Sequence, residues 1–112
     1  MGISTHILDT ATGRPAAGVA LSLARRDNAV WTPLAHVHTD VDGRARHLLP
    51  DDPAPTPAIF RLRFETAPYF AAQNLRGLYP YIDIVFELAD PAQHYHIPLL
   101  LTPNGYTTYR GS

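Results

Sequence analysis

Apolar and polar positions alternate along this chain in short runs with a period of two. Phe60, Leu62 and Phe64 alternate with Arg61 and Arg63, which predicts a strand with one buried face. Val19, Leu21 and Leu23 alternate in the same way with Ala20, Ser22 and Ala24, and Ile82, Ile84 and Phe86 make a third such face. Ile3–Leu8, His94–Leu101 and Tyr106–Arg110 are further predicted strands. Eleven Pro and seven Gly interrupt the pattern too often for long helices. One segment departs from it: residues 68–75 carry Pro68 near a plausible helix start and Gly77 just beyond a plausible end, which predicts one short helix between two strands. Pro50 to Pro57, with four prolines and two acids, predicts an extended surface loop. No internal repeat or domain boundary is visible. Many short strands with regular turn signals predict an all-β fold, a two-sheet sandwich over residues 1–112 as one domain.

Size and charge narrow the function. A chain of 112 residues buries roughly two-thirds of the surface that its unfolded form exposes. Little interior remains for a deep private pocket, so an interface between subunits is a natural place to handle a small molecule. Nine Lys+Arg against ten Asp+Glu give a formal charge of −1, without a basic face for nucleic acid. Apolar runs such as Leu99-Leu100-Leu101 fall far short of the about 20 residues of a membrane span. The first residues lack the charged and apolar regions of a secretory signal. Without cysteine there is no disulfide, thiol nucleophile or thiolate metal site. A soluble, cytoplasmic protein is the expectation.

Candidate chemistry centres on histidine and arginine. Asp42-Gly43 is a hairpin-type turn signal between apolar runs. Asp40-x-Asp42 starts like a calcium loop, but Ala45 stands where the sixth position requires Gly, so a turn is expected. Arg44 just after it would be held at a strand start; its plain alternative is a solvated surface side chain. Among the six histidines, His36-x-His38 and His94-x-His96 each place two imidazoles on one face of a strand. Such pairs can join a metal site only with ligands from elsewhere, and no metal is expected. His6 interrupts an otherwise apolar strand, and histidine is the side chain best suited to proton transfer near neutrality. The run Tyr106 to Ser112 is strand-like to its last residue, bringing two aromatics, a guanidinium, a hydroxyl and the α-carboxylate close together. No phosphate-binding Gly loop, Gly-x-Ser-x-Gly elbow or spaced carboxylate pair is present. Residue chemistry alone reaches a small β-sandwich with a His/Arg site.

The motifs go further. Ser4-Thr5-His6-Ile7-Leu8-Asp9-Thr10 with Gly13-Arg14-Pro15-Ala16, then Thr39-Asp40-x-Asp42-Gly43-Arg44, His94-Tyr95-His96-Ile97-Pro98-Leu99-Leu100, and Tyr106 to Ser112 resemble the blocks of the 5-hydroxyisourate hydrolases, the transthyretin-related proteins, along nearly the whole chain. Thr102-Pro103-Asn104 departs from the usual Ser-Pro of that family. The resemblance implies a transthyretin-like sandwich of two four-stranded sheets, about eight strands, with one short helix. It implies a homotetramer with active sites where two dimers meet. It implies cofactor-independent hydrolysis of 5-hydroxyisourate to 2-oxo-4-hydroxy-4-carboxy-5-ureidoimidazoline in urate breakdown. His6, Arg44, His96 and Ser112 are the catalytic positions that it carries over, and His6, Arg44 and Tyr109 the substrate-binding ones; His94 belongs to the motif but not to the matched site. Either His6 or His96 would take a proton from water. If Ser112 and its carboxylate line the site, residues added after Ser112 should obstruct it. The main alternative is a non-catalytic transthyretin-like carrier, against which His-Tyr-His and the terminal Tyr-Arg-Gly-Ser discriminate. A monomeric β-sandwich accessory module and a metal-dependent hydrolase are weaker rivals.

Overall fold

A computed structural model describes residues 2–50 and 53–112; Asp51 and Asp52 of the predicted loop lie outside the described residues. Nine strands and one helix follow in the order β1 (Gly2–Asp9), β2 (Arg14–Pro15), β3 (Ala20–Asp27), β4 (Val30–His38), β5 (Arg44–Ala45), β6 (Ala58–Glu65), α1 (Thr66–Ala71), β7 (Ile82–Leu88), β8 (His94–Thr102) and β9 (Gly105–Thr108). One sheet runs β4-β3-β6-β7, all antiparallel. The other runs β2-β1-β8-β9, with β5 pairing β1 beside β2. The count exceeds the expected eight because β2 and β5 are two-residue strands that share one edge of β1.

The period-two runs sort as predicted. Leu21, Leu23, Phe60, Leu62 and Phe64 face Ile3, Ile7, Leu99 and Leu101 of the opposite sheet in one core, which Phe70 of α1 also enters. Burying such a side chain contributes about 1.5–3 kcal/mol over leaving it exposed. The intervening arginines turn outward: Arg63 forms a two-pronged ion pair with Asp83 at 2.7 and 2.8 Å, and Arg61 lies over Trp31.

The helix starts earlier than the sequence predicts. Pro68 is its third residue, within the first turn, where a missing N–H costs no intrahelical bond. Its end is closed by turn residues through Asn74 in the left-handed region, φ 59°, and by the Leu75 N–H donating to Phe70 C=O. Gly77 plays no capping part; it lets the chain pass close to the Phe70 ring, 2.9 Å from where a Cβ would stand. The Asp-Gly turn also differs in use. Instead of closing a hairpin within one sheet, it carries the chain from β4 in one sheet to β5 in the other.

Candidate active site

The pairing of β1 with β8 is parallel, with Ser4 beside His96 and His6 beside Pro98. Because successive side chains alternate, Ile3, Thr5 and Ile7 enter the interior while Ser4 and His6 share the outer face. On β8 the same alternation buries Tyr95 and Ile97 and puts His94 and His96 on that outer face. His94 lies opposite Gly2, so no side chain stands across from it. On the other edge of β1, Arg44 pairs directly with His6.

Arg44 is placed by the turn before it. Asp40 accepts hydrogen bonds from the backbone N–H groups of Asp42 and Arg44, both 2.9 Å, and those bonds hold its carboxyl below the ordinary aspartate range. Gly43, at φ +73°, donates its N–H to Asp40 and lies so close to β1 that a Cβ would meet the Ile7 carbonyl oxygen at 2.4 Å. Only glycine meets both demands. Asp40 and Asp42 thus serve the turn.

The C-terminal segment returns to the same face. After β9, Arg110 stacks on the Tyr95 ring at 4.3 Å and donates to Gln93 at 2.7 Å. Gly111 then bridges to His96, its N–H donating to the His96 carbonyl at 2.8 Å. Ser112 follows into an open depression of about 280 Å³ that Ser4, Arg44, Arg46, His47, His94 and His96 also line. That volume is near the lower end of small-molecule clefts, roughly 300 Å³.

Two arginines and three histidines line this depression without an Asp or Glu side chain among the described residues. Such a lining favours an anionic or carbonyl-rich ligand and stabilises developing negative charge. Burial pushes His96 below the ordinary histidine range, and the charges of Arg44, His6 and His94 act in the same direction. His96 is therefore neutral at neutral pH, with a lone pair available.

Of the expected site residues, Arg44, His96 and Ser112 line the depression, and His6 stands on the same face beside Arg44. Tyr109 is elsewhere: it is exposed and lines a separate depression with Ile84, Phe86 and Tyr95, between the edges of the two sheets. His36 and His38 sit exposed on β4 of the other sheet, ring edge to ring face. Among the described residues, no three His, Asp or Glu side chains converge as metal ligands would. Sequence reasoning passed over Ser4, Arg46 and His47 and left His94 aside. Ser4 could have been found, because it is two residues from His6 on one face of a strand. The His94-x-His96 spacing does put both rings on one face, and His94 joins the lining although the motif match leaves it out of the site.

A family model described as HIUase/Transthyretin matches residues 3–111. The 5-hydroxyisourate hydrolase of Caulobacter vibrioides is 44% identical over 115 residues, which cover 99% of this chain and 98% of the relative. A solved 5-hydroxyisourate hydrolase from Klebsiella pneumoniae superposes with a TM-score of 0.84 at 36% identity, covering 98% of both chains. Sea bream transthyretin in complex with thyroxine superposes with a TM-score of 0.90 at 31% identity, over 97% of this chain and 93% of that one. Similarity of backbone does not separate the two kinds of relative; side chains must.

Proposed function

The chain belongs to the HIUase/transthyretin family, and from that premise we propose that it hydrolyses 5-hydroxyisourate to 2-oxo-4-hydroxy-4-carboxy-5-ureidoimidazoline, a step of urate catabolism. The observation that carries this reading over the carrier alternative is the convergence of His6, Arg44, His96 and Ser112 on one polar face from four separate parts of the chain. A carrier of aromatic ligands has no use for that chemistry, and the identity to a named hydrolase is higher than to the thyroxine-bound transthyretin.

Hydrolysis needs a base for water, a stabiliser for the oxyanion and a proton for the leaving nitrogen. His96, which lines the depression and is neutral at neutral pH, is the base in this scheme, and a positioned base contributes about 10²–10⁴-fold. Arg44 holds the polar edge of the ring and stabilises charge that develops on the carbonyl oxygen. His6, next to Arg44, orients the substrate, and Ser112 orients water. No cofactor enters the scheme. Tyr109 stands apart from the histidines within one subunit, so its part in substrate binding belongs to the assembly. That assembly is a homotetramer of one-domain subunits (residues 1–112), with each site formed where dimers meet. Its support is the outer edges of β7 and β9, each paired on one side only among the described residues. No helix of the described residues is long and apolar enough to cross a membrane; a cytoplasmic enzyme is the proposed setting.

The test generates 5-hydroxyisourate from urate with urate oxidase and follows its ultraviolet absorbance. The wild type should accelerate decay far above the spontaneous rate, and Arg44→Ala and His96→Ala should each lose at least about 10²-fold of that acceleration. Decay at the background rate with folded wild type would favour the carrier.

A further inference from the structure

The two imidazoles of His94-Tyr95-His96 meet at one hydroxyl. Ser4 Oγ lies 2.7 Å from His94 Nε2 and 2.8 Å from His96 Nδ1. Ser4 itself is buried. A serine hydroxyl carries one proton and two lone pairs, and among the described residues Ser4 Oγ has no side-chain or backbone partner besides these two rings; its proton therefore goes to one ring and it accepts from the other. The protonation sites of the two histidines are therefore coupled, and only two arrangements satisfy both bonds. In one, His96 carries its proton on Nδ1 and Ser4 donates to His94. In the other, both bonds are reversed and His96 carries its proton on Nε2.

Charge decides between them. With Nδ1 engaged by Ser4, Nε2 is the His96 nitrogen left for the depression, which Arg44 and Arg46 line. Two guanidinium groups there stand against the single Ser112 carboxylate, so a bare lone pair on Nε2 is favoured, whereas an N–H would point at a net positive wall. Solvation agrees. His94 is exposed and His96 half-buried, so positive charge is better hydrated on His94.

We propose that Ser4 and His94 are positioning residues that form a proton wire behind His96: His96 donates from Nδ1 to Ser4 Oγ, Ser4 donates to His94 Nε2, and His96 Nε2 is left bare toward the reacting water. The assignment rests on the hydrolase reading for its chemical purpose, but the bonds themselves do not. In the reaction, Nε2 takes one proton from water as hydroxide adds to the ring carbonyl. The Nδ1 proton then passes to Ser4 Oγ while the Ser4 proton passes to His94 Nε2, which moves the positive charge to the exposed ring. As the C–N bond breaks, the wire runs back. His94 returns its proton to Ser4, Ser4 returns one to His96 Nδ1, and the Nε2 proton goes to the leaving nitrogen. One water is consumed, one C–N bond is cleaved, and both histidines end as they began.

The experiment reads tautomer and rate separately. Nitrogen-15 NMR of the ligand-free protein should show native His96 protonated on Nδ1, and Ser4→Ala should shift it toward Nε2. With 5-hydroxyisourate, Ser4→Ala should lower kcat by roughly 10²-fold, within the range a general base contributes, and leave KM nearly unchanged. Ser4→Thr, which keeps the hydroxyl, should restore most of that kcat. A native His96 protonated on Nε2, or undiminished kcat in Ser4→Ala, overturns the wire. If Ser4→Ala fails to fold, the native tautomer and the Ser4→Thr rate still decide. If wild type leaves 5-hydroxyisourate decay at background, the hydrolase reading has failed, and the native tautomer alone upholds or overturns the hydrogen-bond assignment.

Discussion

Gly111 shows how little room a site residue can leave. A Cβ added there would stand 2.6 Å from His96 Cδ2 and 3.2 Å from Pro98 Cγ. The terminal segment can thus lie flat against the imidazole only because position 111 has no side chain. Gly111→Ala should push either the ring or the terminus away, lowering kcat by about tenfold or more while thermal stability changes little. Kinetics with a melting curve on the same sample checks this. His96 itself carries a pH signature. Its folded pKa lies below the ordinary 6.5 because of burial first and the nearby Arg44, His6 and His94 charges second. The rate should therefore hold as pH falls through 6.5 and drop only in the more acidic interval where folded His96 gains its proton. Stability follows the same sign: between 6.5 and that lower pKa the unfolded chain binds a proton that the folded one refuses, so acid costs stability progressively there. An NMR titration of His96 that gave a pKa at or above 6.5 would contradict both statements.

At the scale of elements, the turn between β4 and β5 delivers Arg44 to the edge of β1, where it pairs with His6. Gly43→Ala would face both a left-handed φ and the Ile7 carbonyl, and should destabilise by about 1–3 kcal/mol in urea unfolding, with activity falling further as Arg44 is displaced. This turn was legible in the sequence as a turn, though not its passage between sheets, and so were the strands whose apolar positions alternate without interruption. The edge strand β4 was legible only through its histidines. Pro33 breaks its alternation, and the register slips between Leu23 and Ala24 where Pro33 pairs, an edge and a bulge being the places where a strand tolerates a missing N–H. β2 and β5 could not be read because two residues have no period. The helix boundary moved because Pro is acceptable anywhere in a first turn. In the site, His6, Arg44, His96 and Ser112 were legible as motif positions, while for Ser4 the spacing to His6 gives the face but not the partner. Its role comes from the β1–β8 register, which local sequence does not encode.

Over the whole molecule, the free edges of β7 and β9 and the exposed Val85, Tyr106 and Tyr109 near them mark the side where further copies would add. Sedimentation should give a particle of about four 12.4 kDa subunits, and a monomer at micromolar concentration would remove the tetramer from the proposal. The parallel pairing of β1 with β8 has a consequence of another kind. Ser4 and His96 are 92 residues apart, so the chemistry waits for a loop closure that almost spans the chain. During synthesis, at about 5–20 residues per second, the first strand emerges seconds before its partner exists. Until then β1 lacks the strand that pairs along its whole length. A chain cut before residue 94 would keep every strand of the β4-β3-β6-β7 sheet and no active site, and on the ribosome catalysis should switch on only after the final stretch clears the exit tunnel.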